Sequence, residues 1–146
     1  ALSHQAELLI MDEPTSGLDP LVRRQFLEII MDYMKNGGKG VFFSTHITSD
    51  LDKVADVLIL IDGGKIVFQQ SKDELLDTFR IVKGSVALLN DRNKRLIRNL
   101  KISTYGFSAL TDRIADVKKE MPGVLFEKAS IEDIMLAYVG GKSDGR

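Results

Sequence analysis

Leu8-Leu9-Ile10-Met11-Asp12-Glu13-Pro14 is an apolar run without alternation that ends in two carboxylates and a proline. A run of this kind suits a strand buried on both faces, as in a parallel sheet. Asp19-Pro20 follows as an N-cap with proline at the first helical position. Behind it Leu27, Ile30, Met31 and Met34 recur at helical spacing, and Gly37-Gly38 supply the stop. Residues 40–45, rich in Val and Phe, read as the next strand. Strand, helix and strand with short joints form a βαβ unit, which sets the fold class as α/β.

Working outward, residues 47–55 predict a short helix carrying Leu51 and Val54, and Val57-Leu58-Ile59-Leu60-Ile61 a third strand. Asp62-Gly63-Gly64-Lys65 is a tight hairpin signal leading into Ile66-Val67-Phe68. Ser71-Lys72-Asp73-Glu74 has the capping-box spacing and should start a helix through about Phe79. From Arg80 the segments become shorter and more charged. Residues 81–89 and 101–105 read as strands, 91–99 and 108–121 as helices, and Pro122-Gly123 as a turn. Ser130-Ile131-Glu132-Asp133 caps a last helix through Val139, and residues 140–146 form a polar tail expected to be mobile. The change in character divides the chain into residues 1–79 and a small α+β lobe, residues 80–146.

With 146 residues there is room for one domain with a core or for two small lobes. A net charge of −1 gives no electrostatic case for nucleic acid or an anionic membrane. The absence of cysteine excludes disulfides and thiolate metal sites. No apolar stretch approaches the roughly 18 residues of a membrane-spanning helix, and no signal peptide is visible. The chain opens at Ala1 rather than Met and runs almost at once into a strand, so it reads as a piece of a longer protein.

The chemistry concentrates in three features in fixed order: Asp12-Glu13-Pro14 at the strand end, Thr15-Ser16-Gly17-Leu18-Asp19, then Ser44-Thr45-His46. A carboxylate at the C-terminal end of a buried parallel strand sits at the crevice where α/β folds bind ligands. Asp12 there can hold Mg²⁺, usually through water, because the ion keeps much of its hydration shell. Successive strand residues point to opposite sides, so Glu13 can reach a different target, a water attacking a γ-phosphate. His46 lies just past the neighbouring strand, where its imidazole can donate to that phosphate.

This arrangement resembles the ATP-binding cassette family of transport ATPases. The strand with Asp12-Glu13-Pro14 is similar to the family's Walker B motif and catalytic glutamate, Ser16-Gly17-Leu18-Asp19 to its D-loop, and His46 to its switch histidine. Gly63-Gly64-Lys65-Ile66-Val67 resembles a hairpin typical of the family, so the likeness runs through the first half of the chain. Ser130-Ile131-Glu132-Asp133-Ile134-Met135 resembles the ending of cassettes paired with drug, antibiotic or lipid exporters. The resemblance implies a partial P-loop NTPase sheet, ATP and Mg²⁺ as cofactors, and catalytic roles for Glu13 and His46. It implies nucleotide contacts from Asp12, Ser16, Gly17 and Asp19, with Asp12 at the metal. It further implies a second ATPase subunit and an integral membrane permease as partners, export, no nucleic acid, and a cytoplasmic location on the inner face of the membrane.

The departures count equally. A Walker A loop needs Gly, four residues, then Gly-Lys-Ser or Gly-Lys-Thr. Gly141-Lys142-Ser143 ends correctly, but the first glycine falls at Leu136, so the match fails. Signature motif and Q-loop are also missing, and Ala1-Leu2-Ser3-His4 resembles the end of the helix that would follow the signature. Residues 1–146 are therefore expected to be inactive alone, and to self-associate through uncovered strands at residues 8–11 and 41–43. A non-transport cassette switch is the alternative. Its ribosomal members often carry Asn-His at the position of Ser16-Gly17, and its DNA-repair members carry heptad insertions absent here. Residues 80–146 acting as a regulatory or dimerisation module is a third reading. The remaining residues have plainer roles. His4 reads as a surface residue and Met31 and Met34 as core. Arg23 and Arg24 read as surface decoration, and Arg92, Lys94, Arg95, Arg98 and Lys101 as a solvated helix face.

Overall fold

A computed structural model describes residues 6–35, 37 and 39–139. Four expectations therefore lie outside the described residues: the helix end at residues 1–4, His4 as a surface residue, Gly38 of the helix stop, and the tail at residues 140–146. The backbone divides into two compact units, residues 1–55 and residues 56–146.

In the first unit, β1 (Leu8–Asp12) and β2 (Gly40–Ser44) pair in parallel, with Leu8 opposite Gly40 and Asp12 opposite Ser44. Between them runs α1 (Pro20–Lys35), and α2 (Thr48–Val54) follows β2. The Asp19 carboxylate starts α1 by accepting from the amides of Leu21 and Val22 at 3.0 and 3.1 Å. Two of the orphan donors of the first turn are thereby satisfied. Gly37 at φ +66° makes the left-handed exit that the glycine stop required. The apolar run at residues 8–11 asks for cover on both faces, and the uncovered side expected of residues 1–146 is present. Leu9, Leu27 and Ile30 are buried, whereas Leu8, Ile10 and Phe42 are exposed. Side chains alternate along a strand, and in this chain the helices cover only the face that carries Leu9.

In the second unit, β3 (Val57–Asp62) and β4 (Lys65–Ser71) form an antiparallel hairpin through Gly63 and Gly64, both at positive φ. The turn signal Asp62-Gly63-Gly64-Lys65 is thus realised with two left-handed glycines. Ser71 Oγ accepts from the Glu74 amide and starts α3 (Lys72–Thr78). Strands β5 (Arg80–Gly84), β6 (Arg98–Ser103), β7 (Gly106–Thr111) and β8 (Leu125–Lys128) make an antiparallel sheet in the order β6-β7-β5-β8. With α5 (Ile114–Glu120) they carry a core of Val82, Leu96, Ile97, Phe107, Ala109, Val117 and Met121, and α6 (Ile131–Val139) buries Ile131, Ile134 and Ala137. This is the α+β lobe. Ser130 and Asp133 exchange backbone and side-chain hydrogen bonds at the start of α6, as the capping-box reading anticipated.

The compact units meet at Ala55 and Asp56, upstream of the Phe79 boundary that the sequence suggests. Aromatic packing gives the reason. Tyr138 of α6 stacks against Phe68 of β4 at 5.4 Å and Phe79 at 6.1 Å, which ties the hairpin and α3 to the lobe.

Several local readings of residues 80–128 also change. Residues 81–89 split into β5 and a 3-10 turn at Val86–Leu88, because Ser85 Oγ caps the Ala87 amide. The helix expected over residues 91–99 stops after α4 (Asp91–Lys94). Leu96 and Ile97 are drawn into the core, and Asn99 turns left-handed at φ +49°. Residues 108–111 belong to β7, where Ala109, Leu110 and Thr111 are buried, and β8 lies where no element was expected. The basic residues accordingly do not share a helix face. Arg92 pairs with Glu120, and Arg98 pairs with Asp112 and lies over the Tyr138 ring.

The turn between β6 and β7 depends on Gly106. Its φ is +138°, and a Cβ there would stand 2.4 Å from the Gly84 carbonyl oxygen. Gly106→Ala should destabilise the antiparallel sheet by about 2–3 kcal/mol, a backbone strain of ordinary size. Amide hydrogen exchange at β5 and β7 measures this, and unchanged protection would contradict the close approach.

Candidate functional site

Parallel register carries the site. Because Asp12 pairs opposite Ser44, both strands end at the same level, and the residues after each end emerge side by side. Ser44 Oγ donates to the exposed Asp12 carboxylate and accepts from the Glu13 amide at 3.0 Å. The Glu13 amide also donates to the Ser44 carbonyl at 3.1 Å. Glu13 itself sits at φ +45°, a left-handed conformation that costs a non-glycine residue roughly 1–2 kcal/mol. These bonds, with the Ser16 amide donating to the Glu13 carbonyl at 3.1 Å, hold it there. The kink turns Glu13 away from the strand and toward His46.

His46 Nδ1 lies 2.9 Å from Glu13 Oε2. A carboxylate only accepts, so Nδ1 carries the hydrogen and Nε2 is left as the outward nitrogen. The His46 side chain is 71% exposed and that of Glu13 36%, so both are open to a ligand. Asp12, Glu13 and His46, selected from sequence spacing, are thus brought together. Ser44 joins them as the hydroxyl that links both strand ends, a role its position in Ser44-Thr45-His46 did not by itself reveal.

Ser16 and Gly17 lie in the turn between β1 and α1, exposed, with Gly17 at φ +74°. Asp19 is exposed too, but one of its carboxylate oxygens is engaged as the α1 cap. Apart from the bond of the Ser16 amide to the Glu13 carbonyl, no hydrogen bond or ion pair among the described residues joins these three to Glu13 or His46.

A second cluster behind the turn was not anticipated. Asp50 is fully buried, and Thr15 is 1% exposed. Thr15 Oγ1 donates to Asp50 Oδ2 at 2.6 Å, and Arg23 Nε donates to Oδ1 at 2.7 Å. Arg23 also donates to Ser49 Oγ at 2.6 Å. Arg23 is therefore a buried-pair partner and not surface decoration, a correction forced by the uncompensated charge Asp50 would otherwise carry. Arg24, beside it, does make only an exposed i,i+4 pair with Glu28. The missed signal was an acidic residue on the inward face of a short helix.

Among the described residues no group of three or more His, Cys, Asp or Glu side chains could encage a metal. One exposed carboxylate beside a hydroxyl still fits Mg²⁺, which takes one or two protein ligands and completes its shell with water and phosphate oxygens. Asp12 and Ser44 are that donor set.

A family model described as "AAA domain, putative AbiEii toxin, Type IV TA system" matches residues 1–52, the segment that holds the whole constellation. A putative ABC transporter ATP-binding protein of Mycoplasma pneumoniae is 32% identical over 96% of this chain and 44% of its own length. An uncharacterized ABC transporter ATP-binding protein of Nostoc sp. is 45% identical over 52% of the chain and 22% of its own length. The Nod factor export ATP-binding protein I of Cupriavidus pinatubonensis is 36% identical over 53% of the chain and 24% of its own length. The chain therefore spans less than half the length of these curated relatives.

Ser44→Ala removes the hydroxyl that bridges Asp12 and the Glu13 amide. The exposed setting limits the loss, and unfolding stability should fall by about 1 kcal/mol. Chemical denaturation checks this; an unchanged midpoint would mean that water replaces both bonds at no cost.

Proposed function

The chain belongs to the ATP-binding cassette family, and on that premise we propose that its parent protein is the ATP-hydrolysing subunit of a membrane exporter. The observation that carries this reading is the Glu13–His46 pair at 2.9 Å beside Asp12, at the ends of two adjacent parallel strands. On this reading residues 1–79 belong to the catalytic cassette and residues 80–146 form an accessory lobe. Glu13 orients or deprotonates the water that attacks the γ-phosphate. Asp12, supported by Ser44, would hold Mg²⁺, which would supply positive charge against the phosphate oxygens. His46 contacts the γ-phosphate. With one hydrogen on Nδ1, donation to phosphate requires either imidazolium or transfer of that bond from Glu13, so the Glu13–His46 contact would report nucleotide occupancy.

Ser16, Gly17 and Asp19 are exposed where a second cassette subunit could meet them. That supports a D-loop role across an interface between two subunits closed around ATP. A coupled permease would convert opening and closing into transport at the cytoplasmic face of the membrane. Among the described residues no helix is long and apolar enough to cross a membrane. Export is supported by the relative named for Nod factor export and by the exporter-like Ser130–Asp133 ending.

Residues 1–146 contain no Gly-rich phosphate loop, whose amides supply most phosphate contacts in such sites. They also leave Leu8, Ile10 and Phe42 exposed on an open sheet face. Burial of such a face stabilises contacts by about 25 cal/mol per Å². Produced alone, residues 1–146 should show no micromolar ATP binding by calorimetry and a mass above that of a monomer by light scattering. Micromolar affinity would contradict the first expectation, and a strict monomer the second.

In the full-length protein, Glu13→Gln should lower the ATPase rate about 10²- to 10⁴-fold, the usual contribution of a positioned base. An ATP-bound dimer should accumulate, whereas Asp12→Asn should weaken the nucleotide complex itself. Steady-state ATPase assays and nucleotide-dependent gel filtration separate the two; a wild-type rate in Glu13→Gln would remove Glu13 from the reaction.

A further inference from the structure

Asp50 is buried, charged and absent from the chemistry described above, yet it is bonded to both loops that supply it. Thr15, two residues beyond Glu13, uses its hydroxyl on Asp50 Oδ2 at 2.6 Å. Asp50 itself lies four residues beyond His46, and its Oδ1 holds Arg23 at the start of α1 through Nε at 2.7 Å and Nη2 at 2.6 Å. Arg23 Nη2 reaches on to Ser49 Oγ, so four side chains from the β1–α1 turn, α1 and α2 share one network. No buried side-chain nitrogen or oxygen among the described residues lacks a partner, which means the network is closed. Closed and buried networks of this kind have few alternative arrangements.

The geometry points to Asp50 as a positioning residue: it locks the Thr15–Asp19 turn to the His46 segment, and so fixes where Glu13 meets His46. The inference rests on the catalytic reading of Glu13 and His46. The Glu13 amide is held on Ser44 at the strand ends, but the Glu13 and His46 side chains meet through the exposed bond that a bound phosphate would compete for. When that bond opens, the Thr15–Asp50 bond still holds the loops in register. The distance between the catalytic carboxylate and imidazole is then set from below, independently of nucleotide. A displacement of about 1 Å at reacting groups can cost about 10²-fold in rate, which is the scale on which such a lock acts.

The test uses the full-length protein and separates the hydroxyl from the packing. Thr15→Val keeps the volume and loses the hydrogen bond; Thr15→Ser keeps the bond and loses a methyl. Assayed well below each melting temperature, Thr15→Val should lose about 10-fold in kcat, with KM for ATP within about twofold. Thr15→Ser should run near the wild-type rate even where its melting temperature is the lower of the two. Asp50→Asn should lose more than Thr15→Val, again in kcat. A wild-type kcat in Thr15→Val, or kcat that follows melting temperature across the series, overturns the inference. Glu13→Gln assayed alongside distinguishes the levels: if it is slow while Thr15→Val is normal, only the positioning role fails. If Glu13→Gln also runs at the wild-type rate, the catalytic reading beneath it fails as well.

Discussion

Two parallel strands held in one register make everything else in the first unit possible. Asp12 stands opposite Ser44, so one hydroxyl can serve the carboxylate of one strand and the amide that follows it. A slip by one residue would turn Asp12 to the other face and separate Ser44 from both. The left-handed turn at Glu13 depends on the same register, since its amide is held by the carbonyl and hydroxyl of Ser44. Backbone strain at that point is therefore maintained by pairing along five residues of strand, and it aims the second carboxylate at a histidine from the next loop.

Behind this edge the apolar core is small, with Leu9, Leu27, Ile30 and Val54 as the buried hydrophobic members among the unit's described residues. The Thr15–Asp50–Arg23 network supplies specificity that such a small core lacks, because a buried carboxylate tolerates few arrangements of its donors. The open face bearing Leu8, Ile10 and Phe42 fits the same picture. In a parallel sheet both faces are normally covered, and the relatives extend well beyond this chain.

The sequence was most legible where local chemistry and chain direction agree. Asp19-Pro20, Gly63-Gly64, Ser71–Glu74 and Ser130–Asp133 each do locally what their residue types require. Asp12, Glu13 and His46 were readable because spacing and strand ends alone bring them together. Asp50 was not, since a carboxylate on a short helix looks solvent-facing until Arg23 and Thr15 are seen to reach it. The strand read at residues 101–105 is β6, but residues 95–99 and 108–111 misled for a tertiary reason. Leu96, Ile97 and Leu110 satisfy helical spacing, but they are buried in and around an antiparallel sheet whose pairing no local signal encodes. The open face of β1 and β2 was legible, because an apolar run without alternation calls for cover on both sides that residues 1–146 do not supply.

The central claim is that Asp12, Glu13 and His46 form the γ-phosphate end of a nucleotide site. A structure of the full-length protein with Mg²⁺ and a non-hydrolysable ATP analogue tests it most directly. The account predicts the Glu13 carboxylate within hydrogen-bond reach, about 3 Å, of a water in line with the γ-phosphate. It predicts Asp12 beside the ion through water, and His46 on a γ-phosphate oxygen. A γ-phosphate seated elsewhere, with Glu13 still closed on His46 and no water before it, would contradict the account.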